Sequence, residues 1–158
     1  MKINFINIYN NLIKLTRNKS LYKNKLTNDN FSNRLTIFFF HFAFFLKKYK
    51  NNSIDKNTLQ DLYDFVFKQI ELSLREIGYG DVTVNKKMKI FVNLLHAVIQ
   101  KIDSWEKLNL TEKNKIFSYF VEIDKDLSFY VSYFNKFEDY LLKKSFNYFT
   151  KDVLSHKF

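Results

Sequence analysis

The chain has 158 residues, of which 46% are hydrophobic and 27% charged, as is typical of a folded globular domain. It contains no cysteine, no proline and two glycines, which excludes disulfides, thiolate metal sites and cysteine nucleophiles, and disfavours sheets rich in tight turns. The net charge is +10, and the first 50 residues hold ten basic side chains against one acid, so the positive charge is concentrated there.

Apolar residues recur at helical spacing along almost the whole chain, which predicts helices and no strands. The first two predicted helices cover residues 3–16 and Phe31–Tyr49. A basic, asparagine-rich connector separates them, and we expect residues 1–30 to form a loose N-terminal arm. The second helix is apolar nearly all round, which indicates an interior helix. Its apolar run over residues 35–46 would be about 18 Å long, too short to cross a bilayer core of about 30 Å.

The remaining helices are predicted at Asp55–Ile77, Thr83–Trp105, 111–124 and Leu127–Tyr148. The third helix has one clear apolar face that runs as far as Ile77, and Thr111 is the expected N-cap of the fifth helix. The sequence therefore predicts a single compact all-helical domain of five to six helices with a basic N-terminal arm.

Three polar residues spaced seven apart, Arg34, His41 and Lys48, are expected to line one strip of the second helix. One interpretation is the solvated edge of a buried helix; the other is a polar strip that receives a partner. A haem or metal site is disfavoured because a lone histidine without supporting ligands is weak evidence. No metal-ligand, phosphate-loop or nucleophile motif is present, so we predict a protein that is not an enzyme and needs no cofactor.

Both glycines of the chain, Gly78 and Gly80, lie in one short segment after the third helix. We expect them to provide positive φ angles or a close backbone approach, with Asp81 or Thr83 capping the next helix. A lysine cluster follows in the first turns of that helix, where cations oppose the helix dipole, which suggests a role outside the fold.

This segment, LREIGYGDVTVNKKMK at residues 74–89, resembles the hallmark of the ubiquinol–cytochrome c chaperones. A second block of that family resembles residues 33–42, which contain an arginine and a phenylalanine–histidine pair and are followed by two lysines. A third match is Leu62-Tyr63-Asp64. The resemblance extends over about residues 5–105.

The resemblance implies a chaperone domain at 31–158, preceded by the basic helix and connector at 1–30. It implies non-enzymatic assistance to newly made cytochrome b in the biogenesis of respiratory complex III, on the cytoplasmic side and peripheral to the inner membrane. Candidate partners besides cytochrome b are the ribosome, an anionic membrane surface and a second assembly factor, with no small-molecule substrate. The charged residues would either join the third and fourth helices or contact the client. The predicted partner-binding residues are Arg34, His41, Arg75, Glu76, Gly78, Gly80, Asp81, Lys86 and Lys87.

The alternative function is a basic helical module that binds nucleic acid or the ribosome, since lysines are interleaved with aromatic residues. Against it, only three of the 26 basic residues are arginines, which make the commonest base-specific contacts. A hydrolase that uses Asp61, Asp64 or Glu71 is disfavoured because these carboxylates are expected to pair with lysine or arginine on a solvated face.

Overall fold

The structure is a computed structural model and describes residues 3–23, 28–51, 54–122 and 128–152. These residues form helices and no strand, so the predicted all-helical class and single compact domain are confirmed. Short 3-10 segments at Lys19–Leu21, Trp105–Lys107 and Phe146–Thr150 accompany the helices. The α-helices are α1 (Phe5–Thr16), α2 (Phe31–Lys50), α3 (Lys56–Ile77), α4 (Asp81–Ile102), α5 (Leu110–Phe120) and α6 (Ser128–Leu142).

Helix α2 is the centre of the bundle, and α1, α3, α4 and α6 all pack against it. Its residues 35–45 are buried without interruption, as expected for a helix that is apolar on every side. The predicted interior helix is therefore confirmed. Among the described residues, no helix combines the length and the apolar character needed to cross a membrane.

Asparagine side chains cap several of the helices, which gives a structural use to this abundant residue. The side chains of Asn4 and Asn30 accept hydrogen bonds from backbone N–H groups in the first turns of α1 and α2. Asn109 and Glu112 form a reciprocal capping box at the start of α5. The prediction that Thr111 caps α5 was therefore wrong, because Asn109 stands two residues earlier with both partners in place.

Two predicted helices end earlier than expected, because aromatic residues turn back into the core. Helix α4 ends at Ile102, and Trp105 is buried in the following 3-10 segment. Helix α6 ends at Leu142. The 3-10 segment that follows has three residues per turn, so Phe146 and Phe149 lie on the same side of it and pack into the core. The predicted extension of α5 to residue 124 is also wrong, since α5 ends at Phe120, while residues 123–127 lie outside the described residues.

Helix α1 is an integral part of the core, so the expectation of a loose arm is wrong for residues 5–16. Ile8 and Leu12 are completely buried. The buried amide of Asn11 donates to the carbonyl oxygen of Phe149 at 3.1 Å, and the amide of Asn7 donates to that of Thr150 at 2.9 Å. These bonds hold the first helix against the last 3-10 segment. The boundary proposed at residue 30 stays a prediction.

Helices α3 and α4 form an antiparallel hairpin whose closed end extends past the start of α2. At the start of α2, Phe31 packs against Phe91, with the ring centroids 6.3 Å apart. Near the other end Lys47 pairs with Glu106 just after α4, so α2 and α4 run in the same direction. Ten residues of α4 come before Phe91. They form about 15 Å of helix that extends beyond the contact with α2. The α3–α4 turn therefore lies at an exposed end of the bundle.

Candidate functional site at the α3–α4 turn

The backbone at the end of α3 forms a Schellman motif, and Gly78 is the residue that permits it. Gly78 has φ +111°, a left-handed backbone conformation that residues other than glycine rarely adopt. The backbone N–H of Tyr79 donates to the carbonyl oxygen of Leu74 at 3.3 Å. The backbone N–H of Gly78 donates to the carbonyl oxygen of Arg75 at 3.0 Å. The expectation of a positive φ is therefore confirmed for Gly78.

Gly80 is different, because nothing within the described chain requires a glycine there. Its φ is −76° and its ψ is 170°, extended values that any residue adopts, and a Cβ atom added at this position would meet nothing within 4 Å. The expectation of a positive φ is wrong for Gly80, while a close approach by the backbone of a partner stays a prediction. Gly80 is itself the N-cap of α4, so Asp81 and Thr83 lie inside the helix and do not cap it.

The guanidinium of Arg75 connects the two helices across the turn. Its Nη2 atom donates to Glu71 at 3.1 Å within α3, and its Nη1 atom donates to Asp81 in the first turn of α4. The hydrogen bond from Arg75, followed by the charge of Lys68, lowers the pKa of the Glu71 carboxyl. Arg75 and Asp81 therefore join the two helices in the folded chain, which is one of the two roles considered for these charges, while a contact with the client stays a prediction.

The turn also carries a group of apolar side chains that the sequence pattern did not identify. Ile77 is 58% exposed, Tyr79 40% and Val82 70%. The prediction that Ile77 lies on the buried face of α3 was wrong, because α3 at this point has passed the end of the core. The ammonium group of Lys87 lies 4.9 Å from the centroid of the Tyr79 ring, while Lys86 and Glu76 are exposed beside it.

His41 lies in the middle of the bundle and does not reach the surface. It is completely buried, and its Nδ1 atom is 2.9 Å from the carbonyl oxygen of Ile37, which can only accept. Nδ1 therefore carries the hydrogen, and Nε2 accepts from the hydroxyl of Tyr133 at 2.7 Å. Burial raises the pKa of Tyr133, which keeps that hydroxyl protonated. Both the solvated-edge and the partner-strip interpretations were wrong for His41, which is a hydrogen-bonded core residue.

Arg34, one helical turn into α2, is exposed and forms a two-point ion pair with Asp29. Its Nη2 atom donates to Asp29 Oδ2 at 2.9 Å, and its Nε atom donates to Oδ1. The hydrogen bond from Arg34 lowers the pKa of the Asp29 carboxyl. Arg34 and Lys48 reach the surface at opposite ends of α2, so the predicted continuous strip does not exist.

Arg34 also lines a pocket of about 220 Å³ between α1, α2 and α3, which we call the arginine pocket. Its wall on α3 includes Ile70 and Ser73. Ile77 lies one helical turn beyond Ser73 on the same face, so the pocket opens beside the α3–α4 turn. The remaining lining residues are Tyr9, Ile13, Thr16, Arg17, Phe31, Leu35 and Phe38.

The structure thus places eight of the nine predicted site residues at or next to this end of the bundle, and excludes His41 from its surface. Sequence reasoning missed the exposed apolar side chains at the turn, because their spacing continues the pattern of the buried faces. It also missed Arg17 as a neighbour of Arg34. The scarcity of arginine was the one available signal for that residue.

Comparison with known proteins gives a match over the middle of the chain. The profile of the ubiquinol–cytochrome c chaperone family matches residues 27–107, just over half of the chain. Among curated proteins, none matches the chain at a significant level. The crystal structure of the Cbp3 homolog from Brucella abortus is similar, with a TM-score of 0.73 and 18% identity over 97% of this chain and 88% of that chain. At this identity the match shows a shared fold.

The matched residues begin just before α2 and end at the 3-10 segment after α4, so they include Arg34 and the whole α3–α4 hairpin. The expected resemblance is confirmed over this range, although it was expected to begin nearer the N-terminus. The chain belongs to the ubiquinol–cytochrome c chaperone family.

Proposed function

We propose that this protein assists the assembly of respiratory complex III by holding newly made cytochrome b, without catalysing a reaction, and that the α3–α4 turn contacts this client. The observation that carries the proposal is the exposure of Ile77, Tyr79 and Val82 together at the end of a hairpin within the matched region. Cytochrome b is a membrane protein, so its unassembled segments are apolar and need a protein surface of matching character.

The composition of the turn suits such a client. Burying an exposed aliphatic side chain such as Val82 contributes about 1–2 kcal/mol, so a few of them provide reversible binding. Lys86 and Lys87 follow one turn later and would face the polar ends of an apolar segment. The basic residues also make the surface attractive to acidic groups that flank it.

Gly80 supports direct contact with the client. The fold itself does not need this glycine, because its backbone is unstrained and the space around its missing side chain is open. A glycine on an exposed turn allows another backbone to come close. We therefore assign Gly80 to the client contact and Gly78 to the shape of the turn.

Arg75 and Asp81 would hold this contact surface in one conformation. Because Arg75 bonds to both helices, the apolar side chains at the turn keep fixed positions relative to each other. A surface that is already ordered loses less conformational entropy when it binds. Asp81→Ala is expected to leave the bundle folded, since the Asp81 side chain is 82% exposed, but to weaken client capture. An Asp81→Ala protein that unfolds would contradict this assignment.

Deletion of the protein in its native host, followed by spectroscopic measurement of cytochrome b, tests the function. We expect the b-type signal of complex III to fall while the cytochrome b transcript stays normal, and the wild-type protein to restore it. A deletion strain that assembles the complex at wild-type levels would overturn the proposal.

Val82→Asn tests the contact surface, with Leu110→Asn as its matched control. Both residues are exposed aliphatic side chains in the first turn of a helix, at 70% and 56% exposure, so neither substitution removes core packing. We expect Val82→Asn to restore little cytochrome b in the deletion strain and Leu110→Asn to restore it fully. Equal rescue by both variants would exclude the turn as the contact.

The proposed location is the cytoplasmic side of the inner membrane, at its surface. It is supported by exposed basic residues at the end of α1 and in the connector, namely Lys14, Arg17, Lys19 and Lys23. Clustered lysines near anionic lipid contribute about 1 kcal/mol each, so we expect association that weakens with salt. Lys25 belongs to the same predicted cluster but lies outside the described residues. The ribosome and a second assembly factor remain proposed partners from the family resemblance.

The same basic residues are the observation that favours the alternative, a module that binds nucleic acid or ribosomal RNA. A filter-binding titration with single-stranded RNA over a range of salt concentrations separates the two functions. Binding that survives physiological salt and depends on RNA sequence would favour the alternative. Weak binding that disappears with salt would indicate only general charge attraction.

A further inference from the structure

The arginine pocket combines an apolar floor with two cationic side chains at its rim. Its floor is formed by Ile13, Leu35, Phe38 and Ile70, while Arg17 and Arg34 both line it from outside the core. The two arginines come from different helical regions, the end of α1 and the start of α2. The fold brings them together, although 17 positions of sequence separate them.

Arginine at both positions is notable in this chain, which has 23 lysines and only three arginines. Two of the three line this one pocket. The guanidinium group presents a planar pair of donors that matches phosphate or carboxylate oxygens, whereas the ammonium group of lysine acts as a point charge. A general positive field would be satisfied by lysine. The planar donors of Arg34 already hold the carboxylate of Asp29, so it is Arg17 whose planar donors suit an anionic group from outside the chain.

Within the described residues, Arg17 has no carboxylate within salt-bridge distance, whereas Arg34 is paired with Asp29 on one edge of its guanidinium. Arg34 uses Nε and one Nη atom for this pair, which leaves its other Nη atom as an additional donor. Asp29 is the one acid among the first 50 residues of the sequence. The rim therefore retains a net positive charge.

The hydroxyl group of Tyr9 adds a neutral donor between the charged rim and the apolar floor, whereas the hydroxyl of Ser73 donates to the carbonyl oxygen of Gln69 at 3.0 Å. Tyr9 and Ser73 both line the pocket, from α1 and α3. Burial raises the pKa of Tyr9, with smaller opposing contributions from the charge of Arg17 and a hydrogen bond with Ser73. Tyr9 therefore keeps its proton at neutral pH and can donate it to an anion.

We propose that the arginine pocket binds the phosphate of an anionic phospholipid headgroup, and that Arg17 and Arg34 are the residues that bind it. A pocket of about 220 Å³ accommodates a phosphate with its glycerol and leaves no room for a folded segment of protein. This inference rests on the proposed membrane-surface location. It adds a defined phosphate-binding site to the general attraction between the basic residues and an anionic membrane.

The surroundings of the pocket favour a lipid over a soluble phosphate or an acidic peptide. Phe31 at the rim is 46% exposed and Ile77, one turn beyond the pocket wall, is 58% exposed. Side chains of this kind insert among lipid tails when a headgroup is held beside them. The exposed Lys14 and Lys19 at the same end extend the positive field over an area wider than one ligand.

The test is flotation of the full chain with vesicles of phosphatidylcholine that contain about one fifth phosphatidylglycerol, with pure phosphatidylcholine as the neutral reference. The variant is R17K/R34K, which keeps every charge but removes the planar donor pairs. Its matched control is K14R/K19R, which also keeps the net charge and lies outside the pocket. Thermal unfolding verifies that each protein is folded. Arg17→Lys alone serves as a second variant that leaves the pair of Arg34 and Asp29 untouched.

We expect R17K/R34K to bind the anionic vesicles about tenfold more weakly than the wild type, and K14R/K19R to bind them as well as the wild type. Equal binding by both double variants would show a diffuse charge effect and overturn the proposal. The proposal would also be overturned if R17K/R34K bound the vesicles as well as the wild type but lost the thermal shift with inorganic phosphate or the binding of single-stranded RNA. Vesicle binding is measured without the client. A negative result would therefore exclude the phosphate site alone, and the chaperone function would still be tested by deletion of the protein.

Discussion

The Nε2 atom of His41 lies 2.7 Å from the hydroxyl oxygen of Tyr133, in the middle of the bundle and out of contact with solvent. This hydrogen bond joins α2 to α6. Phe134 and Phe137 also pack their rings against the imidazole, with centroids 5.0 Å and 5.1 Å away. The histidine is therefore a specific polar link inside an otherwise aromatic core, which fixes how the two helices meet.

Removing the donor from this link should destabilise the fold. We expect Tyr133→Phe to lower the free energy of unfolding by about 1–3 kcal/mol, because a buried acceptor on His41 loses its hydroxyl donor. Urea denaturation followed by circular dichroism measures the change. The control is Tyr119→Phe, at a side chain that is 73% exposed, which should leave stability unchanged. Equal stabilities of the two variants would show that the buried bond contributes nothing.

The two glycines of the turn should respond differently to alanine. Gly78→Ala forces a side chain into φ +111° and should lower the free energy of unfolding by about 1–2 kcal/mol. Gly80→Ala should be close to neutral, since its φ is −76° and the added Cβ meets open space. Thermal unfolding compares the two proteins directly. A larger loss for Gly80→Ala would contradict the separation of a structural and a contact glycine.

The ion pairs of the turn should appear in the pH dependence of stability. Because Arg75 lowers the pKa of Glu71 in the folded chain, Glu71 stabilises the fold above its ordinary value of 4.5, and this contribution is lost as the pH falls through the lowered value. We expect Glu71→Gln to make the acid-side decline in stability shallower.

Glu138 provides the opposite sign as a control. Burial, followed by the charge of Glu106, raises the pKa of its carboxyl. Its proton is therefore held more tightly in the folded chain, which favours folding as the pH falls. Glu138→Gln should make the acid-side decline steeper. Denaturant titrations between neutral and acidic pH measure both variants, and identical slopes would contradict these assignments.

A completely buried amide contributes to the attachment of α1. Asn11 is completely buried and donates to the carbonyl oxygen of Phe149 at 3.1 Å. Asn11→Ala leaves that carbonyl without this donor, so we expect a loss of about 1–3 kcal/mol in the free energy of unfolding. Limited proteolysis near both chain ends should become faster. Asn10→Ala, a half-buried neighbour on the same helix, is the control. Unchanged proteolysis in Asn11→Ala would mean that the hydrogen bond from Asn11 does not help to hold α1.

Periodicity predicted the helices well where an apolar face met a clear end signal. Helix α3 was expected over Asp55–Ile77; it begins at Lys56, directly after its N-cap Asp55, and ends at Ile77 before a left-handed glycine, as expected. The ends of α4 and α6 were predicted too late, because a 3-10 segment has nearly the same apolar spacing as an α-helix. Only packing against the core decides between them, as Phe146 and Phe149 show.

The candidate site was predicted in part. The turn residues were identified from the scarcity of glycine and from the family resemblance, and Arg34 from its spacing of seven with His41 and Lys48 and from the same resemblance. His41 was misplaced, because a histidine on an apolar helix has the same pattern whether it faces solvent or a buried hydroxyl. Arg17 was not associated with Arg34, because local spacing carries no information about contacts between distant segments.

The amino-acid sequence alone determined the helical class, the central α2 helix, the left-handed glycine at the end of α3 and the family, because these depend on local spacing and on short motifs. The tertiary structure decided which apolar residues remain exposed at the turn, which polar residue is buried and which arginines share a pocket. These features depend on where each helix passes the end of the core. That position is set by packing between segments that are far apart in the chain.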